Sequence, residues 1–296
     1  MVSVNIPASV KRIEKLAFHG CYSLTSPIII PDGVKTIDEM AFYDCASLTS
    51  VYLPDSVTSI ERNAFASCES LTSLHLPANV KYIMEGAFFG CNSLTSIRIP
   101  DGVIQIRDNA FFYCTSLTSI HFPDSVKDLA FLPIGGCPNL TSITIGKGNA
   151  TYDSRDNCNA VIETSTNRLL AGCKSTVIPD SVTSIGVSAF ESCPGLTSIN
   201  IPNGVTAIEY AAFFDCPNLA SIVIPESVTA IEEYAFAECP SLKDIHFKTR
   251  HPNEMEFIQD FYDGPFDECT LHVPEGSEEE YRSHPVFGKF KNIVGE

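Results

Sequence analysis

The chain has 296 residues, of which 44% are hydrophobic and 19% charged, and this balance is typical of a globular protein. Its 19 lysines and arginines stand against 36 aspartates and glutamates, for a net charge of −17. Nucleic-acid binding and docking on anionic membranes both need a basic surface, so we expect neither. No apolar run reaches the ~18 residues of a membrane span, and no signal peptide is visible. The chain opens in mid-pattern, at "VNIPASV", so we expect a trimmed N-terminus, and missing targeting signals carry no information.

A period of 23 residues runs through most of the chain. Three features recur with it, namely a proline after an apolar run, a phenylalanine after alanine, and a cysteine. The prolines are Pro31, Pro54, Pro77, Pro100, Pro123, Pro179, Pro202 and Pro225; the phenylalanines are Phe42, Phe65, Phe88, Phe111, Phe190, Phe213 and Phe236; the cysteines are Cys45, Cys68, Cys91, Cys114, Cys137, Cys193, Cys216 and Cys239. Stacked units can bury a continuous core that one such unit cannot, so the period predicts a repeat solenoid.

Each repeat predicts one coil. In "LTSLHLP" the apolar residues Leu74 and Leu76 alternate with polar ones as in a strand, and Pro77 ends the ladder because it has no N–H to donate. A turn, a second extended piece at Val80 and Ile83, and a short helical or 3₁₀ corner carrying Ala-Phe complete the coil. Identical strands of successive coils then stack into a long parallel β-sheet.

The repeated cysteine predicts an inward-facing spine of reduced thiols that serve as small apolar side chains. Neighbouring rungs point the same way, which suits disulfide geometry poorly. Cys158 and Cys173 stand outside the pattern and are the one plausible bonded pair, with their redox state left open. Zinc would need clustered ligands such as C-x-x-C pairs, which are absent. We therefore expect no metal and no cofactor.

The pattern is interrupted between Gly146 and Pro179, where the step is 33 residues. "AVIE" and "RLLAG" flank a turn-rich "TSTN", which predicts a β-hairpin. Insertions in repeat proteins often lie on the binding face, but a structural bulge between two stacks explains this one equally well. "DSRDNCN" is rich in oxygen ligands but lacks the EF-hand spacing and glycine, so it is a weak calcium motif.

The C-terminal segment also departs from the repeat. It predicts a strand at "TLHVP", a helix through "EEEYRSH" capped by Ser277, and a last strand at "FKNIVG". Such a segment would cap the exposed core and sheet edge of the last coil. The predicted organisation is a first stack of repeats at 1–146, an irregular insert at 147–178, a second stack at 179–248 and a C-terminal cap at 249–296.

The string C-x-S-L-T-S-I-x-I-P-x-S-V-T-S-I-x-x-x-A-F-x-x-C resembles the BspA-like leucine-rich repeat family over nearly the whole chain. The resemblance implies a right-handed, mostly β solenoid, and we expect a monomer. Ordinary leucine-rich repeats carry an inward asparagine where this chain has Ser56, Asn79, Gly102 or Ser125, so we expect no regular asparagine ladder. The family includes bacterial surface proteins that attach to host matrix proteins or to other cells, which implies secretion or display at the cell surface.

Strand alternation places two side chains of each repeat outward, the consensus serine and the residue between the two apolar positions. We call the second set the outer row. Its members are Asn5, Ile29, Tyr52, His75, Arg98, His121, Thr144, Val177, Asn200, Val223 and His246. Tyr52, His75, Arg98 and His121 form a candidate contact patch, because aromatic residues and arginine are enriched at interface hot spots. The alternative is a merely solvated face. His75 and His121 are two rungs, about 10 Å, apart, so they cannot share a metal ion.

No enzyme signature is present. The serines recur in every repeat, so none is singled out as a nucleophile, and GxSxG, P-loop, HExxH and GxGxxG motifs are missing. We therefore expect a non-enzymatic scaffold that binds a protein partner, with an adhesin-like role implied by the resemblance. A structural spacer within a larger surface protein is the alternative. A carbohydrate site would need more exposed aromatic residues than Tyr52 alone on the outer row.

Overall fold

The computed structural model describes residues 2–130, 132–257 and 268–296. The chain divides into two compact units, Met1–Asp153 and Ser154–Glu296. This division falls inside the insert, and the four segment boundaries expected from the sequence stay predictions. Among the residues that the structure describes, no helix has the length and hydrophobicity that crossing a membrane requires.

Short β-strands make up most of the regular structure. In the first unit they are β1 (Ile28–Ile29), β2 (Thr36–Ile37), β3 (Ser50–Tyr52), β4 (Ser59–Ile60), β5 (Ser73–His75), β6 (Tyr82–Ile83), β7 (Ser96–Arg98), β8 (Gln105–Ile106), β9 (Ser119–Phe122), β10 (Asp128–Leu129), β11 (Ser142–Ile145) and β12 (Tyr152–Asp153). In the second they are β13 (Val161–Glu163), β14 (Arg168–Ala171), β15 (Ser184–Ile185), β16 (Ala207–Ile208), β17 (Ser221–Ile224), β18 (Ala230–Ile231), β19 (Asp244–Phe247), β20 (Glu256–Phe257), β21 (Thr270–Val273) and β22 (Asn292–Gly295). The helical segments are α1 (Glu278–Ser283) and 3₁₀ helices at Arg155–Asn157, Pro252–Glu254 and Phe287–Lys289.

The strands stack into two kinds of parallel ladder, as expected for a solenoid. The strands that end near the repeat proline form the sheets β1-β3-β5, β7-β9-β11 and β17-β19-β21-β22. The two-residue strands after it form β2-β4-β6-β8-β10 in the first unit; in the second, β15-β16-β18-β20 continue from the four-residue strand β14. In the regular repeats of both kinds, residues 23 positions apart pair, as Ile60 does with Ile83. The parallel repeat fold is thus confirmed, but the first kind of ladder is divided between β5 and β7, whereas the sequence predicted one long sheet.

The core of each unit is built from the repeated apolar positions. The phenylalanine rings form a buried stack with near-parallel planes and centroids 5.0–5.8 Å apart, through Phe18, Phe42, Phe65, Phe88 and Phe111. A second stack, with spacings of 5.1 and 5.5 Å, runs through Phe190, Phe213 and Phe236. Each ring therefore packs against its counterparts in the adjacent coils, which explains why phenylalanine recurs at this position in most repeats.

The corner around Ala-Phe contains hydrogen-bonded turns and no regular helix. Met40 and Asp44 have φ values of 55° and 60°, in the left-handed region, and they flank Phe42 on both sides. The amide of Ala41 donates to the carbonyl three residues back, as in a 3₁₀ turn. The amide of Phe42 donates instead to the carbonyl of Ala64 in the next coil. Because the sign of φ changes along the corner, the 3₁₀ hydrogen bond is present but cannot propagate into a helix.

The cysteine spine is confirmed. Eleven of the twelve cysteines are buried, Cys21 is half-buried, and all are thiols. Cys158 and Cys173 are not joined by a disulfide in the described structure. Burial raises the pKa of the thiols, to about 12 for Cys45 and well above the ordinary value for Cys91. Most of these side chains are therefore inert toward reagents that attack thiolates.

Polar positions of the repeat join adjacent coils. Ser56 Oγ donates to the carbonyl of Val34 at 2.7 Å, and Asn79 Nδ2 donates to the carbonyl of Asp55 at 2.8 Å. The position of the usual asparagine thus links coils through different side chains, in agreement with the expected lack of a regular asparagine ladder. Threonines do the same elsewhere, since Thr118 Oγ1 donates to the carbonyl of its counterpart Thr95 at 3.2 Å.

The insert contributes a hairpin to the second unit. Strands β13 and β14 are antiparallel, with Ile162 opposite Leu169, and β14 continues in parallel with β15. Ile162 and Leu169 are fully buried in the core of this unit. Arg168 Nε donates to both carboxylate oxygens of Glu209, at 2.8 and 2.9 Å. The hairpin strands therefore have a structural role, which agrees with the interpretation of the insert as a structural element.

The C-terminal segment covers the last coil. Strand β22 adds in parallel to β21, and α1 buries Tyr281, whose hydroxyl donates to the carbonyl of Thr249 at 2.9 Å. The predicted strands and helix are present, and Ser277 is the N-cap residue of α1 as predicted. Its hydroxyl makes no capping hydrogen bond, because it donates backward to the carbonyl of Pro274 at 2.6 Å. Part of the predicted cap, residues 258–267, lies outside the described residues.

Candidate binding surface

The outer row lies on the solvent side of the first kind of ladder. Within β3, Val51 is buried while Tyr52 is 58% exposed, and within β9, Ile120 is buried while His121 is exposed. His75 and Arg98 are exposed in the same way. The period of two along each strand thus sends all four side chains of the contact patch outward. Whether they bind a partner stays a prediction.

The strand register brings the contact patch together as two pairs. Tyr52 is opposite His75 in the β3–β5 ladder, and Arg98 is opposite His121 in the β7–β9 ladder. Residues paired in this way have side chains roughly 5 Å apart. β5 and β7 are neighbours without being paired strands. The four side chains therefore lie on one face, although the backbone ladder beneath them is interrupted.

The patch continues at both ends. Ile29 is 67% exposed and pairs with Tyr52, so an apolar side chain extends the row on one side. Thr144 pairs with His121, and its Oγ1 lies 2.9 Å from His121 Nδ1. The face thus changes from apolar and aromatic at Ile29 and Tyr52 to polar at His121 and Thr144.

Three side chains of the patch have no polar partner within the described parts of the chain. Tyr52, His75 and Arg98 make no side-chain hydrogen bond or ion pair there. By contrast, Arg62 lies 3.3 Å from Glu85 and Arg107 lies 3.5 Å from Asp128. In a chain of net charge −17, the guanidinium of Arg98 is thus an exposed cation with all its donors available. Such a group can take a carboxylate from another molecule in a bidentate hydrogen bond.

A second group of chemically active side chains lies in the second unit. His246, His272 and Glu296 present ligand atoms that all lie within 4.8 Å of one another, the only such metal-competent group among the described residues. His246 Nδ1 lies 3.0 Å from the Glu296 carboxylate. Hydrogen bonds from Lys248 and His246 lower the pKa of Glu296 to about 2. We call these three residues the His–Glu cluster.

Sequence reasoning placed His246 on the outer row but missed the cluster. The sequence signal that could have revealed the cluster is the recurrence of histidine at the outward position of "DIHF" and "TLHV". These two strands pair, with His246 opposite His272. The oxygen-rich "DSRDNCN" forms no comparable group, since the carboxylates of Asp153 and Asp156 belong to no set of three converging ligands within the described residues.

The family of the chain follows from its repeats. A profile described as the BspA type leucine rich repeat region matches six copies, over residues 1–111, 85–163 and 161–273. The chain belongs to the BspA-type leucine-rich repeat family. Family members share repeat scaffolds that generally mediate protein interactions and generally lack enzymatic activity. No curated protein matches the chain significantly.

Solved structures agree with a BspA-type solenoid. A leucine rich cell surface protein from Faecalibacterium prausnitzii A2-165 is 30% identical, with a TM-score of 0.66 over 100% of this chain and 79% of that one. A leucine-rich repeat protein from Eubacterium ventriosum is 22% identical, with a TM-score of 0.68 over 92% and 73%. The pneumococcal vaccine antigen PcpA is 18% identical, with a TM-score of 0.60 over 100% and 79%. The last two are similar in fold alone.

Proposed function

We propose that this BspA-type chain is a non-enzymatic scaffold that binds a protein partner through the contact patch, Tyr52, His75, Arg98 and His121. The partner would be a host matrix protein or a protein on another cell surface, and the role would be adhesin-like. The proposal depends mainly on one observation, namely that Arg98 and His75 are exposed on an ordered sheet face without a partner within the described residues.

The chemistry of the patch favours a protein ligand. Tyr52 offers a rigid aromatic surface beside the exposed Ile29, and Arg98 offers a fork of donors two rungs away. Arginine and tyrosine together are typical of interface hot spots, because they combine large buried area with directional hydrogen bonds. A partner that presents an apolar side chain next to a carboxylate would match both features.

The location that we propose is the cell surface or the extracellular medium. The 30% identical protein from Faecalibacterium prausnitzii is described as a leucine rich cell surface protein, and the similarity covers 100% of this chain and 79% of that one. The twelve thiols, eleven of them buried, do not oppose this location. Most are inaccessible to oxidants, and the direction of the spine suits disulfide geometry poorly.

The test is binding of the purified chain to an array of host matrix proteins, surface proteins and glycans, compared with the double variant Tyr52→Ala/Arg98→Ala. We expect binding to one or more proteins that falls at least tenfold in the double variant, since each side chain would contribute as a hot spot. The matched control is Asn200→Ala/Val223→Ala, which removes two exposed members of the outer row in the second unit.

The outcomes separate the alternatives. Binding that the double variant retains would exclude the contact patch and direct attention to other surfaces of the scaffold. Binding to glycans alone would replace the protein partner by a carbohydrate. An absence of binding throughout the array would favour a spacer without a ligand of its own. Circular dichroism of all variants checks that a loss of binding is not a loss of folding.

A further inference from the structure

We propose that the His–Glu cluster, His246, His272 and Glu296, binds a divalent transition-metal ion of the Zn²⁺ class. The cluster lies in the second unit, whereas the contact patch lies in the first, and the inference does not depend on the proposed function.

The fold places two of the ligands on adjacent strands and the third directly after the next strand of the same sheet. His246 on β19 pairs with His272 on β21, and β22, which leads into Glu296, pairs with β21. The backbone of Glu296 is held on both sides, since its amide donates to the carbonyl of Val273 at 2.9 Å and its carbonyl accepts from the amide of Glu275 at 3.2 Å. The cluster is therefore positioned by main-chain hydrogen bonds and not by flexible loops.

The distances suit a tetrahedral metal site. Glu296 Oε2 lies 3.0 Å from His246 Nδ1 and 3.6 Å from His272 Nδ1. Ligand atoms bound to one zinc ion at 2.0–2.1 Å are about 3.3 Å apart at the tetrahedral angle. The two imidazoles are stacked with centroids 4.2 Å apart and planes 13° from parallel, which keeps both rings on the same side of the sheet. Because a metal lies in the plane of the imidazole that binds it, both rings would have to rotate out of the stack to bring the three atoms around one ion.

Asp244 is placed to orient the ring of His272 for a metal. Asp244 Oδ1 lies 2.8 Å from His272 Nε2. A carboxylate accepts a hydrogen bond from Nε2–H, which leaves the lone pair of Nδ1 directed at Glu296 in the neutral imidazole. Metal-binding histidines usually donate their other N–H to a carboxylate or carbonyl in this way. This arrangement distinguishes the cluster from a chance meeting of exposed histidines.

Lys248 is a cation that opposes the proposed ion. Its Nζ lies 2.7 Å from Glu296 Oε1, and His246 Nδ1 lies 3.0 Å from both Oε1 and Oε2. The lysine therefore competes with the metal position for Oε1, while Oε2 faces both imidazoles, with His272 Nδ1 at 3.6 Å. Lys248 is 49% exposed and can move into solvent. We expect it to weaken metal binding without preventing it.

The donor set selects the kind of ion. Two imidazole nitrogens and one carboxylate oxygen favour Zn²⁺, Co²⁺, Ni²⁺ or Cu²⁺ over Mg²⁺ and Ca²⁺, which prefer oxygen ligands. The side chains of His246, His272 and Glu296 are 21–34% exposed, so a fourth position is open to water. A bound ion would link the last strand, β22, to β19 and β21 and would stabilise the C-terminal cap.

The test is calorimetric titration of the full chain with Zn²⁺, compared with the variants Glu296→Gln and His272→Gln. We expect one equivalent bound by the wild type, with affinity at least tenfold lower in each variant. Asp244→Asn should also weaken binding by about tenfold or more through the orientation of His272. Lys248→Gln should strengthen binding. His121→Gln, an exposed histidine outside the cluster, serves as the control and should bind as the wild type does.

Thiols bind zinc too, and all twelve remain in every variant. Equal stoichiometry and affinity in the wild type and in Glu296→Gln would therefore overturn the proposal and assign the zinc to cysteine. Thermal unfolding gives a second readout that does not depend on stoichiometry. Zn²⁺ should raise the Tm of the wild type and of His121→Gln but not that of Glu296→Gln, because only a ligand bound to the folded state stabilises it. An equal rise in all three would also overturn the proposal.

Discussion

The thiol of Cys91 donates a hydrogen bond to the backbone carbonyl of Phe65, 3.3 Å away in the preceding coil. That carbonyl already accepts the amide of Cys68, so the thiol occupies its second lone pair. The same contact, at 3.1–3.4 Å, joins Cys45 to Phe18, Cys68 to Phe42, Cys114 to Phe88, Cys137 to Phe111, Cys216 to Phe190 and Cys239 to Phe213. The cysteine therefore recurs because the site requires a small side chain that is also a weak donor.

Replacement of this thiol should destabilise the fold. We expect Cys91→Ala to lower the free energy of unfolding by about 1–2 kcal/mol, from the lost contact and a small cavity. Urea denaturation followed by circular dichroism measures the change. Cys21→Ala, at a half-buried position, is the control and should cost less. Equal losses at the two positions would show that the carbonyl contact contributes nothing.

The buried thiols should make the protein sensitive to alkali. Burial raises the pKa of Cys45 from the ordinary value of 9.0 to about 12. The unfolded chain therefore loses its thiol protons first, and stability that is complete below pH 9 should decline as the pH rises toward 12. Urea unfolding at pH 7 and pH 10 under reducing conditions measures the decline. Cys45→Ala should show a smaller decline than the wild type; an identical one would contradict the assignment to this thiol.

The phenylalanine stack should respond strongly to truncation in its middle. Phe88 is fully buried between Phe65 and Phe111, at 5.8 and 5.4 Å. We expect Phe88→Ala to cost about 3–5 kcal/mol, because it removes a whole ring and leaves a cavity. Phe18, which is half-buried and stacks on Phe42, is the matched control. Its replacement by alanine should lower the stability less, as the shift in the urea midpoint would show.

The corner should be sensitive to backbone strain at Gly90. This residue has a φ of 67°, and a Cβ built there would meet nothing closer than 3.8 Å. The cost of Gly90→Ala is therefore conformational, and we expect about 1 kcal/mol. Gly90→Asn should cost less, because asparagine adopts the left-handed region more readily. Thermal unfolding measures both; a larger loss for asparagine would mean that space, and not φ, limits this position.

The repeat fold could be predicted from the sequence because the spacing of its residues alone determines how the coils stack. Proline, Ala-Phe and cysteine return at one interval, so identical side chains must occupy identical places in stacked coils. The change in the sign of φ along the corner could not be predicted from the sequence. The residues with positive φ there share no residue type; among them are Leu16, Met40, Asn63, Tyr113 and Glu238. Inter-coil hydrogen bonds, and not local propensity, hold these residues in place.

By itself the sequence determined the repeated coil, the inward-facing cysteine spine and the outward direction of the contact patch. Side chains alternate with a period of two within a strand, and the coils repeat every 23 residues along the chain. Only one arrangement with both periods buries the apolar residues. Only the tertiary structure decided which polar side chains meet. The thiols reach phenylalanine carbonyls 26 residues away, and Glu296 reaches His246 across 50 residues. Such contacts depend on strand register and on the path of the cap, which no local pattern encodes.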